Sequence, residues 1–120
     1  MTEIKSEGGG KVLISNAILA VIAGKAALEA DGVTGIGGFL SGVSSKAAVR
    51  KHMAKSVHIK VDDENVRIVI AITVAMGTKL HEISKDVQLR IKAALETMTG
   101  LNVTEVNVRI AAVSTVGQKA

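Results

Sequence analysis

The residues best suited to hold a metal or move a proton are three histidines, His52, His58 and His81. A metal site needs several ligands at fitting spacing. No two of the three form a His-x-x-x-His pair, and each falls in a different predicted element, so they read as surface histidines. His58 with Asp62 is the one pairing with acid–base or metal potential. Asp62, Asp63 and Glu64, however, crowd a tight turn whose own chemistry and solvent account for them. Glu82 and Asp86 stand four apart near the start of a predicted helix, where the helix dipole favours acids. Lys85 and Arg90 are ordinary surface partners for them. A glycosidase-like pair needs a cleft and one raised pKa, and the sequence signals neither.

Nucleophiles and phosphate loops fare no better. The serines lack a Gly-x-Ser-x-Gly elbow. Gly35-Ile36-Gly37-Gly38-Phe39-Leu40 lacks the third glycine of a dinucleotide fingerprint, and Gly10-Lys11 is followed by Val12, not by the Ser or Thr of a phosphate loop. The glycine-rich loop keeps only the general capacity of backbone N–H groups to wrap an anion. The chain has no cysteine, which excludes disulfides, thiolate ligands and thiol nucleophiles. The chain therefore reads as non-enzymatic, with no catalytic residue, cofactor, metal or small-molecule substrate expected.

Nucleic acid is the alternative. Gly32-Val33-Thr34-Gly35 has the Gly-x-x-Gly form of the KH loop, and the basic segment Lys46 to Lys60 could supply phosphate contacts. Against this, the KH loop joins two helices and normally carries a basic residue inside it, whereas the interior here is Val-Thr. Twelve glycines make the pattern weak, and a single aromatic, Phe39, leaves no stacking platform for bases. A formal net charge of +4 permits attraction to nucleic acid or an anionic membrane and demands neither.

The elements that would position these residues follow from hydrophobic rhythm. Val66, Ile68, Ile70, Ile72 and Val74 alternate with Arg67, Val69, Ala71 and Thr73, as in a strand with one buried face. Leu80, Ile83, Val87, Ile91, Ala94, Leu95 and Met98 repeat at three and four, as on one stripe of a helix. Gly100 stops that helix, and Val106, Val108 and Ile110 alternate again. Val57, Ile59 and Val61 alternate ahead of Asp62-Asp63-Glu64-Asn65, which predicts a hairpin. In the first half, Lys11 to Ile14 is a short strand, Ser15 an N-cap, and Asn16 to Ala30 an alanine-rich helix ended by Gly32. Val33 to Ser45 reads as a flexible loop. Lys25-Ala26-Ala27-Leu28-Glu29 recurs as Lys92-Ala93-Ala94-Leu95-Glu96, a faint internal echo. The expected fold class is α+β, a two-layer sandwich of order β-α-β-β-α-β with two helices packed on one sheet. Residues 10–113 form the domain, with 1–9 and 114–120 as tails. The longest apolar run, Ala17 to Ala23, is far short of the roughly 20 residues of a membrane span, and no signal peptide is visible in Met1 to Gly10.

Two surfaces stand out. Val69 and Ala71 make the outer face of the long strand partly apolar, where a two-layer sandwich should be polar. Ala111 and Val113 are similarly placed near the chain end. Val69 and Ala71, with Phe39 and Leu40, are candidates for self-association. Lys46, Arg50, Lys51, Lys55 and Lys60 lie in an acid-free run and could face an anionic surface or an acidic partner.

Gly10-Lys11-Val12-Leu13-Ile14-Ser15, then Val21 to Ala30 with Gly32-Val33-Thr34-Gly35-Ile36, then Val87 to Ile91, Glu96-Thr97-Met98-Thr99-Gly100-Leu101 and Val103-Thr104-Glu105-Val106-Asn107-Val108 together resemble the alkaline shock protein family of Gram-positive and related bacteria. The resemblance runs from about Gly10 to Val113. It implies a small intracellular protein linked to cell-envelope homeostasis and stress, cytoplasmic or peripheral to the inner face of the membrane. It implies self-assembly into a homo-oligomer, docking to a small membrane-anchor protein, and no active site. Gly32, Gly35, Thr99, Gly100, Glu105 and Asn107 carry over as fold markers only. Ala71 to Ala75 and the short tails depart from the family's usual pattern.

Overall fold

The structure is a computed structural model that describes residues 2–5, 11–37 and 55–115. The elements are β1 (Thr2–Lys5), β2 (Lys11–Ile14), α1 (Asn16–Leu28), β3 (Val33–Ile36), β4 (Val57–Asp62), β5 (Asn65–Ala75), α2 (Leu80–Thr99) and β6 (Asn102–Ser114). The α+β architecture with two helices on one sheet is as the sequence predicts. Three details differ. Thr2–Lys5, inside the stretch read as a tail, is a strand that pairs antiparallel with β2 in a separate two-stranded sheet. Val33–Ile36, inside the stretch read as a loop, is a strand of the main sheet. β6 reaches Ser114, the first residue of the stretch read as the second tail.

The long strand β5 is the spine of the main sheet. On one edge β6 runs parallel to it over its whole length, Asn65 to Ala75. On the other edge β4 pairs antiparallel with Asn65 to Ile70 and β3 pairs antiparallel with Ile72 to Val74. The two short strands thus share one edge end to end. Gly37 N–H donates to the Ala71 carbonyl at 2.6 Å and Ala75 N–H to the Gly32 carbonyl at 2.8 Å, extending the β3 pairing past both its ends.

One face of β5 makes the core. Val66, Ile68, Ile70, Ile72 and Val74 pack with Leu19, Ala20, Ala23 and Ala27 of α1 and with Ile83, Val87, Ile91 and Leu95 of α2. Alanines on the inner side of α1 let that helix lie close to the sheet, so an aliphatic core fills without aromatic bulk. The two helices are stopped by different means. α1 begins with Ser15, whose Oγ accepts from Ile18 N–H at 3.2 Å, and the chain turns at Gly32 with φ +95°. The left-handed turn is what calls for glycine; a Cβ at Gly32 would also sit 2.6 Å from Ile83 Cδ1, the tip of a side chain that would have to turn aside. α2 ends in Gly100 at φ +73°, whose N–H donates to the Glu96 carbonyl at 2.9 Å. Buried Thr99 donates to the Leu95 carbonyl and accepts from Leu101 N–H. The Glu96 carboxylate accepts from Val103 N–H at 3.0 Å, which fixes the entry into β6.

Two members of the expected α2 stripe are not in the core. Met98 is 67% exposed and Leu80 is exposed as well. Leu80 opens the first turn of the helix, and Met98 lies off the packed stripe, on the side that lines a groove against α1. The stripe that packs is Ile83, Val87, Ile91, Leu95 and Thr99, a strict four-residue repeat.

Candidate functional site

The other face of β5 is the candidate. Residues paired across a sheet share a face, so the register fixes its composition. Lys60, Arg67 and Glu105 form one row across the three strands, His58, Val69 and Asn107 the next, and Ala71 with Arg109 the third. Gly35, Thr73 and Ala112 follow. Thr104 and Ala111 are skipped in the β5–β6 register, so β6 carries two bulges. The second one brings Val113 level with Val74 and ends the outer-face alternation expected for Ala111 and Val113.

His58, Lys60, Arg67, Glu105, Asn107 and Arg109 are exposed, with Val69 and Ala71 half-buried among them. At the far end the face closes. Thr73 is fully buried and its hydroxyl donates to the Gly37 carbonyl. Arg67 Nε lies 3.9 Å from a Glu105 carboxylate oxygen, with the two side chains 68% and 51% exposed. A pair this long and wet is screened by solvent and contributes little to stability.

The residues with catalytic potential are not brought together. His58 and Asp62 both lie on β4, four residues apart, which along a strand is about 13 Å. His81 is exposed in the first turn of α2 and His52 lies outside the described residues. Asp86 is held by Arg90, whose Nε reaches both carboxylate oxygens at 3.1 Å. Among the described residues no group of three His, Cys, Asp or Glu side chains is placed to hold a metal ion.

The KH-like reading of Gly32 to Gly35 is corrected. The segment joins a helix to a strand instead of two helices, and Gly35 is a buried strand residue. The reason is pairing: Val33, Gly35 and Ile36 lie against Val74, Thr73 and Ile72. Of the other candidate residues, Lys60 sits on the outer face and Lys55 is exposed just before β4. Phe39, Leu40, Lys46, Arg50 and Lys51 lie outside the described residues. Val69 and Ala71, named from the sequence, share this face with Arg67 and Arg109, which the sequence did not mark, and with Glu105, which it marked only for the fold. Their odd-numbered alternation slots carried that signal, and the strand register was needed to join them.

A second surface lies on the helix layer. An open groove of about 640 Å³ runs between α1 and α2, floored by Val21, Ile22, Ala26, Ala94 and Met98. Lys25, Glu29 and Arg90 stand along it. Its floor is aliphatic and it is open to solvent, without the enclosure that a small-molecule site uses. No helix among the described residues is long and apolar enough to cross a membrane.

Residues 4–115 match a family model described as the alkaline shock protein 23 family, cell envelope-related function. The chain is 34% identical over 102 residues to the uncharacterized protein YqhY of Bacillus subtilis, covering 84% of this chain and 75% of that one. It is 29% identical over 118 residues to the uncharacterized protein Spy1614 of Streptococcus pyogenes, covering 91% and 92%. It is 27% identical over 103 residues to the uncharacterized protein YloU of Bacillus subtilis, covering 84% and 86%. No solved structure matches.

Proposed function

The chain belongs to the alkaline shock protein 23 family, with its non-enzymatic, cell-envelope-related role, and from that premise we propose that it is an interaction protein of the envelope that self-associates and docks to a membrane-anchored partner. The observation that carries this reading is the outer face of β5, which neither helix among the described residues covers. Val69 and Ala71 stand half-buried at the middle of a sheet whose opposite face is covered by helices. A flat face of that kind, with small apolar residues ringed by charges, suits another protein surface and gives a small molecule no enclosure. Self-association uses this face, with Phe39 and Leu40 as further contacts. The acid-free run containing Lys46, Arg50, Lys51 and Lys55 faces the anionic inner surface of the membrane or an acidic stretch of the partner.

The test is recovery of tagged protein from its native host, separated into membrane and soluble fractions. Co-recovery of one small membrane protein supports the reading. Recovery of this chain alone, and only in the soluble fraction, removes the docking half. Nuclease-sensitive recovery of RNA, lost when Lys51 and Lys55 are neutralised, would replace the reading with nucleic-acid binding.

A further inference from the structure

The two helices are held to the sheet by different kinds of side chain. α2 brings Ile83, Val87, Ile91 and Leu95 into the core. α1 brings one large side chain, Leu19, and otherwise Ala20, Ala23, Ala26 and Ala27, with Val21 and Ile22 only partly buried beside them. A buried isoleucine or leucine contributes severalfold more than an alanine methyl, so α1 is the more lightly held layer. Its larger side chains lie on the other side, where Ile18 and Leu28 are each 41% exposed. Gly24, buried within α1, weakens the helix further, because glycine is a poorer helix former than alanine.

The topology isolates α1 in the same way. Among the described residues ahead of Gly32, none joins the main sheet, and β1 and β2 pair with each other. The hold of the sheet on the chain begins at Gly32, whose carbonyl accepts from Ala75 N–H at 2.8 Å. α1 lies over the short strands β3 and β4, while α2 lies over β6, which follows β5 along its whole length.

We propose that α1, with the β1–β2 arm attached, is a strap that opens about Gly32 while β5, β6 and α2 stay folded. The proposal is independent of what the protein docks to. Among the described residues, no hydrogen bond of the main sheet has to break for this opening. What is lost is the packing of Leu19 and the alanines, and the pivot is a glycine with no side chain to resist a change of backbone angles. The open form uncovers Ile36 and Val57, the core residues of β3 and β4 beneath α1. Sub-global openings of this kind separate the lightly packed elements of a domain from its core.

Native-state hydrogen exchange on the full chain, followed amide by amide in rising sub-denaturing urea, tests the strap. The α1 amides from Ala20 to Leu28 are expected to exchange as one group. Their rate should exceed that of Val87 to Leu95 in α2 and Ile68 to Ile72 in β5 by about a hundredfold or more. Their urea dependence should be weaker, because less surface is exposed. Val103→Ala, on β6, is expected to speed exchange of the β5 and α2 amides by about tenfold or more through lost core packing, while the α1 amides keep their rate. An α1 that exchanges at the rate of α2 and β5, with the same urea dependence, overturns the proposal. So does an α1 that quickens by the same factor as they do in Val103→Ala. Amides of α1 that exchange independently of one another and of urea report local fraying and overturn the single unit. If Val103→Ala does not fold, the unsubstituted chain decides the question alone.

Discussion

The two faces of β5 have the same backbone and opposite fates. On one, Val66, Ile68, Ile70, Ile72 and Val74 are at most 1% exposed under the two helices. On the other, Arg67 is exposed while Val69 and Ala71 are half-buried. Along Asn65 to Ile72 alternate residues thus divide the labour: even-numbered side chains hold the fold, and Arg67, Val69 and Ala71 remain for contact with something else, while Thr73 and Ala75 are buried at the far end. An aliphatic chain with a single aromatic can build a core this way because isoleucine, valine and alanine interlock finely between helix and sheet. Around Arg67 and Val69 the outer side chains are not part of the packed core, so substitutions there are expected to change binding more than they change stability.

Adjacent substitutions on β5 break or sharpen that contrast most strongly. Ile70→Ala should cost about 2–5 kcal/mol in urea denaturation, because it leaves a cavity under both helices. Val69→Ala, one residue away, should cost under about 1 kcal/mol. Similar costs at both positions would end the division into two faces. Next in size is Gly32→Ala, on the covered side. A left-handed backbone, together with the shift it forces on the tip of Ile83, predicts a loss of roughly 1–3 kcal/mol by thermal melt. Gly100→Ala shares the positive φ but has nothing within 4 Å of the new Cβ, so it should lose only about 1–2 kcal/mol. Thr73→Val probes the closed end of the outer face and should cost about 1 kcal/mol through loss of the hydrogen bond to Gly37. The smallest effect belongs to Glu105→Lys, whose pair with Arg67 is long and exposed. Monomer stability in denaturant should shift by no more than about 0.5 kcal/mol.

The sequence makes one of these faces far more readable than the other. Alternation from Val66 to Val74 and the four-residue repeat of α2 arise from burial, which writes a period into the chain, while the exposed acidic turn is legible from turn chemistry. Met98 shows where the period overreaches: three residues after Leu95 it fits the helical repeat, yet Thr99 takes the core position and Met98 turns to the groove beside α1. β3 is hidden for a different reason. Its four residues include Gly35, which has no side chain to mark a face, and its partner strand lies some 40 residues further along. Lys11 to Ile14 does read as a strand, but nothing local says that it pairs with Thr2 to Lys5 instead of entering the main sheet. The charges of the outer face are the hardest to read. Arg67, Glu105 and Arg109 are ordinary polar residues in alternation slots, and only the parallel β5–β6 register, with its skips at Thr104 and Ala111, brings them together around Val69.

The most direct measurement is the mass of Val69→Asp by sedimentation equilibrium, taken together with its thermal melt. The two-face account predicts an assembly that falls to the single chain of 12.4 kDa while the melting temperature stays within a few degrees of the unsubstituted protein. An assembly of unchanged size, or a fold that collapses when only this outer residue is altered, would contradict it.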